Sequence, residues 1–190
     1  MRAVHSSHLV LGGARSGKSR YAVEQAAQSG GRVAFLATAR ALDGDMASRI
    51  ARHRAERPAG WTTLEEPQDI VAACRRAAAH DLVIVDCVTV WVANLMERGD
   101  DDTAVLAAAD DLAKLQREHL LSLLIVSNEV GEGVHPSTEL GRRFRDLLGF
   151  VNQRLASAAD RVTLMVAGLP MTVKDVTPPP ARRDPTYEAP

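Results

Sequence analysis

The stretch Leu9-Val10-Leu11-Gly12-Gly13-Ala14-Arg15-Ser16-Gly17-Lys18-Ser19 limits the possible folds of this chain more than any other. Apolar residues run straight into G-x-x-x-x-G-K-S, and a helix-compatible segment follows over 19–28. That order of strand, loop and helix is what a phosphate-binding P-loop requires. Gly12 and Gly17 let the backbone turn without a Cβ clash, so several N–H groups can point inward. Together with the helix N-terminus they make an anion site. Lys18 supplies a cation for β- and γ-phosphates, and Ser19 a hydroxyl for Mg²⁺.

The rest of the chain alternates strand-like and helix-like segments, which predicts an α/β domain with a largely parallel sheet flanked by helices. Strands are expected at 7–11, 32–37, 61–64, 82–86, 122–127 and 161–167. Most are nearly continuous apolar runs, as strands covered on both faces are. Helices are expected at 19–28, 43–57, 67–79, 89–98, 103–119 and 138–158, with Gly99 as a break before Asp100-Asp101-Asp102. Residues 1–174 are read as one P-loop domain and 175–190 as a flexible proline-rich tail.

The net charge of −1 argues against a nucleic-acid coat or a polybasic membrane anchor, so a phosphate ligand must be held locally. Cys74 and Cys87 have no CxxC spacing. Buried structural thiols in a reducing compartment fit them better than a zinc or disulfide scaffold. No apolar run is long enough to span a bilayer, and a cytoplasmic location is expected.

Two further stretches carry chemistry. Asp86 ends the apolar run Leu82-Val83-Ile84-Val85, where a carboxylate can hold the Mg²⁺ shell beside a triphosphate. On a helix over 43–57, Leu42, Met46 and Ile50 form one stripe and Arg49, His53 and Arg57 the next. Spacing alone describes a solvated basic face. Chemistry gives the second stripe another reading, because flanking guanidiniums disfavour imidazolium and leave a nucleophilic nitrogen. A neutral imidazole can attack phosphorus and form a phosphoramidate. The other histidines are weaker candidates. The loop Gly131-Glu132-Gly133-Val134-His135-Pro136 follows a buried strand and is expected near a second substrate.

From Leu9 to Lys174 the chain resembles the bifunctional adenosylcobinamide kinase/adenosylcobinamide-phosphate guanylyltransferases of cobalamin biosynthesis. The resemblance rests on the P-loop, Ala37-Thr38-Ala39, Asp45-Met46, Arg49-Ile50 and His53 through Pro58. Trp61, Glu65, Asn128-Glu129-Val130-Gly131, Phe144-Arg145-Asp146, the run 151–156 and Ala159-Asp160 extend it.

The resemblance implies a RecA-like P-loop NTPase domain, a homotrimer and two activities. One phosphorylates adenosylcobinamide with ATP or GTP. The other moves GMP from GTP onto adenosylcobinamide phosphate. It makes His53 the guanylylated nucleophile, with Lys18 assisting. Nucleotide-binding positions become Gly12, Gly13, Ala14, Arg15, Ser16, Gly17, Lys18 and Ser19, then Ala37, Thr38 and Ala39. Arg54, Ala55, Glu56, Arg57, Glu65 and Asp86 complete that set, with Ser19 and Asp86 toward Mg²⁺. Some members carry two adjacent histidines where this chain has Arg52-His53, and some carry Glu in place of Asp86. A kinase without a covalent nucleotide, or a GTP-dependent switch, would share the P-loop, but no N-K-x-D guanine-reading motif supports a switch.

Overall fold

A computed structural model describes residues 5–40, 54 and 57–176. In chain order the elements are β1 (Ser7–Gly12), α1 (Lys18–Gln28), β2 (Val33–Ala37), β3 (Thr62–Glu65), α2 (Ile70–Arg76), β4 (Leu82–Asp86), α3 (Val88–Arg98), α4 (Asp102–Glu118), β5 (Ser122–Val126), α5 (Glu139–Ala158), β6 (Arg161–Val166) and β7 (Leu169–Asp175). One seven-stranded sheet runs β3-β2-β4-β5-β1-β6-β7. Every pairing in it is parallel except β6 with β7. The expected helix over 43–57 lies almost wholly outside the described residues.

Period-2 alternation divides the strands between two cores. Leu9, Ala34, Leu36, Val83, Val85, Leu123 and Ile125 join a large cluster with α2, α3, α4 and α5. Their immediate neighbours Val10, Val33, Phe35, Ile84, Leu124 and Val126 face the other way, onto Ala22 and Ala26 of α1. Burial on both faces explains why these strands read as unbroken apolar runs.

Helix ends follow local chemistry. Asp101 caps α4 by accepting from the Ala104 amide at 2.8 Å, and Thr138 caps α5 by accepting from Gly141 at 3.1 Å. Gly99, at φ 100°, terminates α3. Helix α2 is shorter than the expected 67–79. The carbonyls of Pro67 and Gln68 accept hydrogen bonds from Asn94 and Trp91 of α3, and Glu66 accepts from the amides of Gln68 and Asp69. Those bonds hold the segment before α2 as a turn.

Strand β7 has no counterpart among the expected strands, and its last residue, Asp175, falls in the segment expected to be a flexible tail. The β6–β7 turn places Ala167 at φ 51° and Gly168 at φ 83°, a hairpin geometry that Asn-Gly or Asp-Gly usually signals. Ala-Gly carries that signal weakly, and β7 is exposed on both faces, so no burial alternation marks it. The strand is tied down by Arg161 to Asp175 at 2.8 Å and by the Lys174 ammonium donating to the carbonyls of Ala156 and Ser157.

Candidate active site

The carboxyl edge of the sheet brings together most of the expected residues that the structure describes. β1 runs into the loop 12–17, and α1 starts at Lys18. Gly12 sits at φ 149°; a Cβ there would lie 2.5 Å from the Met165 carbonyl oxygen and 2.7 Å from Ser16 Oγ. Gly17, at φ 96°, is the N-cap of α1 and offers no capping side chain. The first amides of that helix therefore have no partner from a cap and are available to an anion. Arg15 takes a left-handed φ of 59°. Lys18 is buried, and its ammonium donates to the Gly13 carbonyl at 2.6 Å and to Ser16 Oγ at 3.4 Å, so the cation lies folded over the loop.

The β6–β7 hairpin braces this loop, with the Gly168 amide donating to the Ser16 carbonyl at 3.0 Å. An open cavity of about 640 Å³ lies against it, bordered by Arg15, Ser16, Gly17, Ser19 and Arg20, by Phe35 and Asp86, and by Ala167 and Gly168. Ser19 and Asp86 thus share a cavity wall. A hydroxyl and a carboxylate are the hard oxygen donors that Mg²⁺ selects, so the expected pair fits that ion. Among the described residues there is no cluster of three or more His, Cys, Asp or Glu side chains suited to a metal.

Parallel register sets the second half of the site. Ala37 pairs with Glu65 on one side and Asp86 on the other, so three expected positions stand in a row. β5 lies between β4 and the P-loop strand. At about 4.8 Å per strand, Asp86 is roughly 10 Å and Glu65 roughly 19 Å across the sheet from β1. A nucleoside triphosphate spans that range. Thr38 is fully buried; its hydroxyl donates to the Cys87 carbonyl at 2.8 Å and accepts from the Cys87 amide at 2.9 Å. Its amide donates to the Asp86 carbonyl, and its carbonyl accepts from Asn94 at 2.9 Å. The Thr38 side chain therefore fixes the backbone around Asp86 and is not turned to a ligand.

Arg57 lies with its guanidinium 3.6 Å above the centre of the Phe35 ring and donates to Thr63 Oγ1 at 3.4 Å. Burial lowers its pKa, opposed by the nearby Asp86 carboxylate. Arg54 and Glu65 form an exposed ion pair at 3.6 Å, which screening makes weak. His53, Ala55 and Glu56 lie outside the described residues. Burial pushes the Cys74 thiol up to about 12 and that of Cys87 up to about 11, so neither is a ready nucleophile near neutral pH.

The loop after β5 lies beside the P-loop, since the Glu129 amide donates to the Gly12 carbonyl at 3.0 Å. Ser127 donates to Asn152 Oδ1, Asn152 to the Asn128 carbonyl, and the Asn128 amide to Thr89 Oγ1, which ties this loop to α5 and α3. Farther along, His135 Nδ1 lies 2.7 Å from the Arg145 guanidinium. Sequence reasoning did not find Phe35, Arg20 or the 167–168 turn. Phe35 is hidden within an apolar run, and the other two reach the cavity only through the fold.

Residues 8–173 match the family described as cobinamide kinase / cobinamide phosphate guanyltransferase. The chain is 48% identical over 167 residues to the bifunctional adenosylcobalamin biosynthesis protein CobP of Pseudomonas aeruginosa, covering 87% of this chain and 96% of that protein. It is 38% identical to the CobU proteins of Salmonella typhimurium and Escherichia coli, each covering 87% of this chain and 98% of the relative. A RadB recombinase crystal structure superposes with a TM-score of 0.49 at 15% identity, covering 84% of this chain and 73% of that one. A match this long, together with a P-loop whose cavity reaches Asp86, establishes that the chain belongs to the cobinamide kinase/cobinamide phosphate guanyltransferase family.

Proposed function

We propose that this chain phosphorylates adenosylcobinamide with ATP or GTP and then transfers GMP from GTP to the resulting phosphate, working as a cytoplasmic homotrimer. The observation that carries the reading is one cavity bordered both by Arg15, Ser16, Gly17 and Ser19 and by Asp86 at the end of β4, in a chain of this family.

In the kinase reaction the substrate hydroxyl attacks the γ-phosphorus, the bond to the bridging oxygen breaks, and the nucleoside diphosphate leaves. The loop amides and Lys18 hold the phosphates and spread the developing charge, so positioning and electrostatics do most of the work. In the guanylyl reaction His53 attacks the α-phosphorus of GTP and pyrophosphate departs. An oxygen of adenosylcobinamide phosphate then attacks the phosphoramidate and releases the imidazole. Ser19 and Asp86 would hold Mg²⁺, which supplies charge neutralisation for the phosphate oxygens. Glu65, about four strand spacings from the P-loop strand, suits the guanine N1–H and N2–H, a pair of donors adenine does not offer.

Intact-mass spectrometry after incubation with GTP and Mg²⁺ tests this. Wild type gains the mass of one GMP, and His53→Ala does not gain it while still phosphorylating adenosylcobinamide. Acid-labile GMP retained on His53→Ala would remove His53 from the mechanism.

A further inference from the structure

The nucleotide site contains one arrangement that the chemistry above does not use. Phe35 is 2% exposed, packs in the core on the α1 face of the sheet, and yet borders the phosphate cavity. The Arg57 guanidinium lies 3.6 Å above its ring centre. Arg57 reaches this place from a segment before β3, and its NH1 group is anchored to Thr63, the register partner of Phe35. Its Nε is buried and has no hydrogen-bond partner among the described residues. Asp86, on the same cavity wall as Phe35, attracts the guanidinium from the neighbouring strand.

A buried guanidinium N–H without an acceptor is costly, and folded proteins seldom leave one unless a ligand or water completes it. Arginine is suited to phosphate because its planar fork matches two oxygens, but an unrestrained side chain loses rotamer freedom when it binds. Stacking on an aromatic face removes that freedom in advance, and stacking is worth more where water is excluded.

We propose that Phe35 is a positioning residue for the nucleotide: its ring, which borders the phosphate cavity, holds the Arg57 guanidinium in place before the nucleotide arrives. The inference rests on the nucleotide site proposed above. It assigns Phe35 a role beyond packing, exerted wholly through Arg57. Glycine and lysine residues of the loop hold the phosphates; Phe35 sets where the additional cation stands.

The test is a double-mutant cycle on equilibrium binding of Mg·GTP, using the full chain and a melting curve for each variant. Phe35→Leu should weaken binding about five- to tenfold in the wild-type background, whereas Phe35→Tyr, which keeps the π face, should stay within about twofold. In an Arg57→Gln background the Phe35→Leu step should change binding by less than about twofold. If Phe35→Leu fails to fold, Phe35→Met carries the same comparison, since it keeps apolar volume and loses the ring. Equal losses in both backgrounds would overturn the proposal by showing that the ring acts through packing alone, and no loss in either would overturn it by showing that the ring does not affect binding. Wild type that binds Mg·GTP but gains no GMP mass would defeat the guanylyl-transfer reading and leave the cycle readable.

Discussion

Two single residues illustrate how backbone and burial set this protein's tolerances. Gly12 is confined by the Met165 carbonyl and by Ser16 Oγ, and its φ of 149° already disfavours any L side chain. Gly12→Ala is expected to destabilise the fold by about 2 kcal/mol or more, because the obstruction includes backbone. Thermal unfolding should show it, together with weakened GTP binding. His8 is the second case. It stacks edge-on against Tyr21 with ring centres 6.1 Å apart, and its Nε2 lies 2.8 Å from Thr163 Oγ1. Burial, with help from Arg161, pushes its pKa from 6.5 down to about 4. Between those values the unfolded chain binds the proton and the folded chain does not. Stability is therefore complete above about pH 6.5 and declines as pH falls toward 4, by at most about 3 kcal/mol from this group. Urea unfolding at pH 7 and pH 4.5 should show a smaller pH loss for His8→Gln than for wild type.

At the scale of elements, the carboxyl edge is held by polar side chains that bridge segments far apart in sequence. Asn94 of α3 is buried and donates to the carbonyls of Thr38 and Pro67, both at 2.9 Å. Asn94→Leu leaves both carbonyls without that donor inside the protein. A loss of about 2–3 kcal/mol is expected. It should come with a several-fold rise in nucleotide KM, because the turn that fixes the Asp86 backbone loosens. An unchanged KM would mean that this turn does not govern the site. Such bridges were not legible in the chain. An Asn within an apolar helical stretch reads as a packing defect until the carbonyls beside it are located. The strands other than β7, by contrast, were read to within one residue, and for the buried ones burial on both faces writes itself as an apolar run. β7 escaped for the opposite reason: it is exposed at every residue but Lys174 and enters through Ala167 rather than Asn or Asp.

For the whole molecule, the described residues contain no helix long and apolar enough to cross a membrane. Helices α2 to α5 cover one face of the sheet, and among the described residues α1 covers the other. The β7 edge leaves Leu169, Met171 and Val173 exposed, and an apolar edge of this kind invites association unless it is covered. The trimer proposed above predicts a sedimenting mass about three times that of one chain at micromolar concentration. A purely monomeric species would remove it.

The sequence by itself determined the stretch 12–19. Its glycines, lysine and serine, and the strand and helix that flank them, are contiguous, so local backbone geometry suffices to make it. The sequence also determined the α/β class, because strand and helix periods alternate along the chain. Only the tertiary structure decided that Glu65, Ala37 and Asp86 stand in one row, that the 167–168 turn braces Ser16, and that Arg57 rests on Phe35. Those contacts depend on the order of the strands. Periodicity shows which face of a strand is buried and is silent on which strand lies beside it, since closing long crossovers is a property of the whole chain.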